Sequence, residues 1–237
     1  MVPDTITCEL MSWEDFTVLA RTLALRIKQS RFRPDLVIAV GRGGYVPARV
    51  VCDFLLHDLL TSFKVEHWGR AAEEKPSVEV RFPLAVDIWD KTVLVVDDVT
   101  DTGKTMDAAI SYLRSLHPRE IRTAVLQHKV SSPYRPDYFA REEKEWRWII
   151  YPWAVHEDTV GFVEKVLTGV SLDEAGIMEA LAERYRLIMP PPGIHDALED
   201  LLELGRISRS GNVYTVLDPP SRPPAFPGGT LPAPARQ

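Results

Sequence analysis

The chain has 237 residues, 45% of them hydrophobic and 26% charged, with a formal net charge of −6. That composition is that of a soluble globular protein, the sign of the charge argues against generic binding to nucleic acid or anionic membrane, and no apolar run approaches the roughly 18 residues that a bilayer span needs. Two cysteines, Cys8 and Cys52, make neither a disulfide framework nor a zinc site, and the first ten residues lack the basic-then-apolar layout of a secretory signal, so a cytoplasmic location is expected.

Composition divides the chain at about residues 158 and 217. Residues 1–158 hold nearly all the apolar runs, residues 159–217 carry five basic against nine acidic residues, and residues 218–237 hold seven prolines. The last segment cannot bury a core and is expected to be disordered or extended.

In the first part helices and strands alternate. Ser12 and Asp15 form a capping pair, and Phe16, Leu19, Ala20, Leu23, Ala24 and Ile27 then mark one helical face. Residues 36–40 (Leu-Val-Ile-Ala-Val) form a continuous apolar run, which predicts a strand buried on both faces. Gly41-Arg42-Gly43-Gly44 ends it, and a helix is predicted over 46–60, with Pro47 tolerable in its first turn. Strands are predicted over 61–67 and 78–82, then a second buried strand over 92–96. A helix over 103–116 and buried strands over 121–127 and 146–151 complete the series. Buried strands alternating with helices predict an α/β fold, a parallel sheet covered by helices on both faces. Ligands of such sheets bind at the carboxyl ends of the strands, so the residues just after Val40, Val96 and Gln127 are where a site is expected.

The densest chemistry follows the strand at 92–96: Asp97-Asp98-Val99-Thr100-Asp101-Thr102-Gly103-Lys104-Thr105. Two acids at the end of an apolar strand are costly to place there; they suit sugar hydroxyls or a hydrated Mg²⁺. Residues 101–105 open a helix, whose free N–H groups, positive dipole end and threonine hydroxyls make a cradle for a phosphate monoester. The segment is no P-loop, because Asp98 stands where that motif needs glycine. Gly41-Arg42-Gly43-Gly44 is no dinucleotide fingerprint, because Val46 stands where the third glycine belongs.

The run from Val93 to Met106 resembles the phosphoribosyl-diphosphate (PRPP) motif of type I phosphoribosyltransferases. Residues 39–48 resemble the diphosphate loop of the 6-oxopurine members of that family, the hypoxanthine, guanine and xanthine phosphoribosyltransferases. Lys129, just after a strand, matches their lysine for the purine 6-oxo group. Trp148-Ile149 matches their base-stacking and base-binding pair. His67-Trp68 opens a polar stretch to Pro76 that matches their mobile lid, although the usual Ser-Tyr pair is absent. Ala154 stands where the microbial xanthine-guanine enzymes carry an acid that helps to place a second Mg²⁺, so that role moves to Glu157 or Asp158 or is missing.

The resemblance implies Mg²⁺-dependent transfer of the phosphoribosyl group from PRPP to a 6-oxopurine, with release of diphosphate. It implies Asp101 as the general base near purine N7, and PRPP binding by Asp97, Asp98, Thr100, Asp101, Thr102, Gly103, Lys104 and Thr105. It further implies diphosphate binding by Arg42, Gly43 and Gly44, metal binding by Asp97 and Asp98, and base binding by Lys129, Trp148 and Ile149. A homodimer or larger homo-oligomer is expected. Trp13, Trp89, Trp146 and Trp153 read as packing or interface residues.

Residues 159–217 predict helix, helix and hairpin, with the turn at Ser210-Gly211-Asn212, and resemble a winged-helix domain. DNA binding, and with it a PRPP-sensing transcription regulator, is the alternative reading this raises. The second helix carries Asp196, Glu199, Asp200 and Glu203 and no Lys or Arg before Arg206, the opposite of what a DNA reader needs.

Overall fold

A computed structural model of the chain describes residues 6–68 and 74–217. The elements run β1 (Cys8–Leu10), α1 (Trp13–Gln29), β2 (Leu36–Gly41), α2 (Tyr45–Leu55), β3 (Leu60–Trp68), β4 (Glu74–Phe82), β5 (Thr92–Thr100), α3 (Lys104–Arg114), β6 (Glu120–Lys129), β7 (Tyr138–Glu143) and β8 (Trp148–Ile150). They continue with α4 (Val155–Leu167), β9 (Ser171–Leu172), α5 (Glu174–Tyr185), α6 (Pro191–Glu203), β10 (Ile207–Ser210) and β11 (Val213–Val216).

The main sheet has the order β4-β3-β2-β5-β6-β7, parallel throughout except for β4, which pairs antiparallel with β3. The apolar runs are continuous because both faces are covered. Val37, Ala39, Leu94, Val96, Ala124 and Leu126 face α1 and α2 in one core. Ile38, Val40, Val93, Val95 and Val125 alternate with them and meet Met106, Ala109, Ile110 and Leu113 of α3 in another. Ser12 caps α1 as its sequence suggests: its hydroxyl accepts from Asp15 N at 3.0 Å.

Four differences from the sequence expectations follow from local physics. The helix expected over 46–60 stops at Leu55, because Leu56 turns into the left-handed region at φ 56°. β5 runs past Val96 to Thr100, since Asp97, Val99 and Thr100 continue the ladder with Val125, Gln127 and His128 of β6. The acids therefore sit on the strand end, not on a loop. The edge strand β7 carries Arg141, Glu142 and Glu143 and has no apolar run to mark it. Last, residues 146–151 do not join the main sheet: only Trp148–Ile150 is strand, and it pairs in parallel with β1.

A third core joins β1 and β8 to α4, α5, α6 and the sheet β10-β11-β9, through Cys8, Ile150, Phe162, Val163, Val166, Leu181, Leu198 and Tyr214. The helix, helix and hairpin expected after residue 159 are present as α5, α6 and β10-β11. The expected boundary at residue 158 falls inside α4. No helix among the described residues is long and apolar enough to cross a membrane.

Candidate active site

The carboxyl ends of β2, β5 and β6 open on one cavity of about 810 Å³. Each strand delivers its part because a parallel sheet sends all three chains out on the same edge. β2 delivers Gly41, Arg42 and Gly43; β5 delivers Asp97, Asp98 and Thr100, followed by Asp101, Thr102, Gly103 and Thr105; β6 delivers Lys129. Trp148 and Ile149 of β8 close the cavity on the side of Lys129. Among the sequence-predicted residues, Gly44 and Lys104 do not line it. The side chains of His67 and Trp68 lie outside what the structure describes, although both residues belong to β3, whose Lys64 and Val65 form part of the wall.

Two glycines are fixed by shape. Gly103 caps α3 at φ 77°, and a Cβ there would meet Tyr134 Cβ at 2.6 Å. A Cβ on Gly44 would lie 2.3 Å from the Val96 carbonyl oxygen and 2.7 Å from that of Val40, so α2 starts tight against both strands.

Asp97 is buried, and burial together with the Asp98 charge pushes its carboxyl well above the usual range. Burial likewise lifts Asp98, to about 6, although its own backbone N–H and that of Val99 donate to the two carboxylates and oppose the shift. Two adjacent carboxyls at a strand end could hold a cation or accept from hydroxyl groups. Tyr151 sits beneath it, with Oη 2.9 Å from Gln127 Oε1 and 3.2 Å from the Asp98 carbonyl oxygen. The Thr100 hydroxyl lies 2.8 Å from His128 Nδ1 in a buried contact.

Asp101 and Lys129 meet in a buried ion pair, Nζ to Oδ2 at 2.7 Å, with side-chain exposures of 9% and 3%. Burial lowers the Lys129 ammonium, while Asp101 pulls it back up. The other carboxylate oxygen, Oδ1, accepts the indole N–H of Trp146 at 3.0 Å. The ring of Trp146 also lies under the ammonium, 4.3 Å from Nζ. Trp146 is thus no mere packing residue: it holds both members of the pair. Nothing in the sequence marks this role: residues 144–147 are not strand, and Trp146, unlike Trp148, does not line the cavity.

Arg42 reaches across the cavity mouth to α4, where Nη2 lies 2.8 and 2.7 Å from the two oxygens of Glu157. Both partners are partly exposed, so the pair is worth about 1 kcal/mol or less. Asp158 is buried at the same cavity wall. At the far rim Arg206, from the turn after α6, pairs with Glu164 at 2.6 Å.

A turn of acids and threonines that crowns a buried parallel strand, facing a glycine-rich loop with an arginine, describes an enzyme that handles a phosphorylated sugar. The profile of the family described as the phosphoribosyl transferase domain matches residues 9–159, and the chain belongs to that family. It is a phosphoribosyltransferase similar to the purine members. Xanthine-guanine phosphoribosyltransferase of Cereibacter sphaeroides is 30% identical over 149 residues, which span 60% of this chain and 84% of that one. Hypoxanthine-guanine phosphoribosyltransferase of Saccharomyces cerevisiae is 25% identical over 189 residues, spanning 61% and 85%. Among solved structures, a purine phosphoribosyltransferase from Pyrococcus horikoshii is 30% identical with a TM-score of 0.54, covering 62% of this chain and 94% of that one. The family match ends inside α4 and leaves the C-terminal helices and hairpin outside it.

Proposed function

We propose that the chain transfers the 5-phosphoribosyl group of PRPP to a 6-oxopurine (guanine, hypoxanthine or xanthine), giving the nucleoside 5′-monophosphate and diphosphate. The observation that carries this reading is the Lys129–Asp101 pair in the same cavity as the acid-and-threonine turn. A buried ion pair opens only if each partner finds a replacement. A 6-oxopurine offers one to both: its O6 accepts from Lys129, and an N–H at the adjacent N7 donates to Asp101. Adenine presents a 6-amino donor to the ammonium and offers Lys129 nothing to bind.

In this reading the N–H groups at the start of α3, with Thr102 and Thr105, hold the 5-phosphate. Asp97 and Asp98 grip the ribose or its metal while positive charge grows at C1. Arg42 and the amide of Gly43 hold the departing diphosphate, for which Arg42 must leave Glu157. Asp101 takes the purine proton as general base, with Trp146 fixing the direction of its carboxylate. Trp148 stacks on the base and Ile149 flanks it. The lid that the resemblance puts at His67 and Trp68 would follow from β3, whose Lys64 and Val65 line the cavity, and would exclude water.

The site also suits Mg²⁺. Asp97 and Asp98 supply hard carboxylate oxygens, Asp98 Oδ2 faces the diphosphate loop so closely that a Cβ on Gly43 would lie 2.4 Å from it, and Mg²⁺ is commonly held by one or two carboxylates plus waters and phosphate oxygens. When bound, the ion neutralises charge on the leaving diphosphate.

The test is a spectrophotometric assay with PRPP, Mg²⁺ and each nucleobase in turn. Turnover with a 6-oxopurine and none with adenine is expected. Turnover with adenine alone would defeat the substrate assignment.

A further inference from the structure

The strands that carry the site at their carboxyl ends open a second cavity at their amino ends, about 560 Å³ in volume. β5 is nine residues long, so the two cavities are roughly 30 Å apart at about 3.3 Å per residue. The second cavity lies between residues 30–33, which follow α1, and the first residues of β5, β6 and β7. Four of its nine lining residues are arginines (Arg31, Arg33, Arg119 and Arg122), against the single carboxylate of Glu120. That concentration of positive charge occurs in a chain of net charge −6.

Two of the guanidiniums are held in place. Arg119 donates from Nη2 and Nε to Thr92 Oγ1 at 2.7 and 3.2 Å and pairs with Asp35 at 3.3 Å. Arg122 pairs with Glu120 at 2.7 Å and with Asp137 at 3.2 Å. Asp35 and Asp137 do not line the cavity. Each is itself anchored to the start of a strand: Asp35 accepts from Thr92 N at 2.7 Å, and Asp137 from Thr123 N and Oγ1 at 2.8 and 2.9 Å. They orient the forks without filling the space. Arg31 enters from a left-handed turn, φ 63°, a conformation that costs an L-residue about 1–2 kcal/mol. The aromatic rings of Phe32 and Tyr138, 6.3 Å apart, line the same cavity.

Arg119 and Arg122 keep carboxylate partners, so Arg31 and Arg33 carry the uncompensated charge here, and planar guanidinium forks match phosphate oxygens. One phosphate cannot engage four forks; a chain of phosphates can. The Arg122 guanidinium lies over the Phe32 ring, 6.0 Å from its centroid, so Tyr138 and the edge of Phe32 are what this open depression offers a planar base. We propose that this cavity is a second ligand site, separate from the phosphoribosyl site, and that it takes a nucleoside polyphosphate.

The test is calorimetric titration of the full chain with ATP and with GTP at low salt, set beside inorganic tripolyphosphate and a short single-stranded RNA. The exposed pair Arg31 and Arg33 is replaced in R31E/R33E. Because the variant lies far from the phosphoribosyl site, its turnover should be unchanged, which also reports that it is folded. Its affinity for nucleoside triphosphate should fall at least about tenfold, the worth of one charge-assisted hydrogen bond. R122Q, which keeps the charges elsewhere and removes one fork, should weaken binding less. Equal triphosphate affinity in the parent and R31E/R33E, or no triphosphate binding in the parent, overturns the site. Tripolyphosphate binding as tightly as ATP overturns the nucleoside assignment, and binding of RNA without binding of either nucleotide overturns the proposal.

Discussion

Trp146 and Asp101 are 45 residues apart in sequence and 3.0 Å apart in space. If Asp101 is the general base, Asp101→Ala should lower kcat by about 10²–10⁴-fold while PRPP binding survives. Trp146→Phe keeps a ring under Lys129 but removes the N–H, and should lower kcat about tenfold, the worth of one hydrogen bond to a charged group, with KM for PRPP unchanged. In the Asp101→Ala background the second substitution should cost nothing further. A full additional loss there would mean that Trp146 acts elsewhere; an unimpaired Asp101→Ala enzyme would remove Asp101 from its role. Glu157 allows a second choice at this scale. If it only restrains Arg42, Glu157→Gln should lower KM for PRPP, by up to about fivefold for a pair worth 1 kcal/mol or less. If it replaces the acid absent at Ala154, KM for PRPP and the Mg²⁺ requirement should both rise. Steady-state kinetics at several Mg²⁺ concentrations separates the two. Asp101 and Lys129 were singled out in the sequence because the motifs around them resemble those of the phosphoribosyltransferases, and the fold brings the two into one cavity. The bond from Trp146 was not, because it depends on where a non-strand segment crosses the sheet edge.

At the scale of elements, what could be read was what both faces of the sheet dictate. The central stretches of β2 (36–40), β5 (93–96) and β6 (124–126) are continuously apolar because helices cover both sides, and such runs are unmistakable. β7 is an edge strand and carries charge; β1 is three residues long and pairs with β8 only through the fold. Neither has a local signal. The glycine-rich loop was legible as a loop, yet the reason for Gly44 is tertiary: two carbonyl oxygens, one on β2 and one on β5, leave no room for a Cβ. Gly44→Ala should therefore push α2 away from the strands that carry Arg42 and Asp97. A loss of about 1–3 kcal/mol in stability, typical of overpacking, is expected from chemical denaturation. kcat/KM should fall as well, although Gly44 does not line the cavity. A variant of unchanged stability would mean that α2 can shift away from the two carbonyl oxygens at no cost.

The C-terminal elements are tied to β1 and β8 by a core that composition could not reveal. Residues 159–217 were expected as an appendage, set apart by their acidic balance. Their helices instead share one core with β1 and β8, and Cys8, only eight residues from the start of the chain, is buried in it. Burial and the neighbouring Asp158 push the Cys8 thiol up to about 12, and burial lifts Cys52, on the inner face of α2, to about 11. A thiol raised by burial leaves stability untouched below its unfolded value near 9, and stability falls as pH climbs from there to the raised value, because the unfolded chain then loses the proton that the folded chain keeps. At pH 8 almost no thiolate is present at either site, and the thiolate is the reactive form. The native chain should therefore resist iodoacetamide at pH 8 at both cysteines, and unfolding in denaturant should expose both. A chain ending at residue 170 discriminates between the two units. Removing α5, α6 and the hairpin uncovers the face of α4 that shields Cys8, while leaving α1, α2 and the sheet around Cys52 in place. Peptide mass mapping should then find Cys8 alkylated and Cys52 untouched. Protection of both would show that the phosphoribosyltransferase unit closes its own core without the C-terminal helices; modification of both would show that it cannot fold without them.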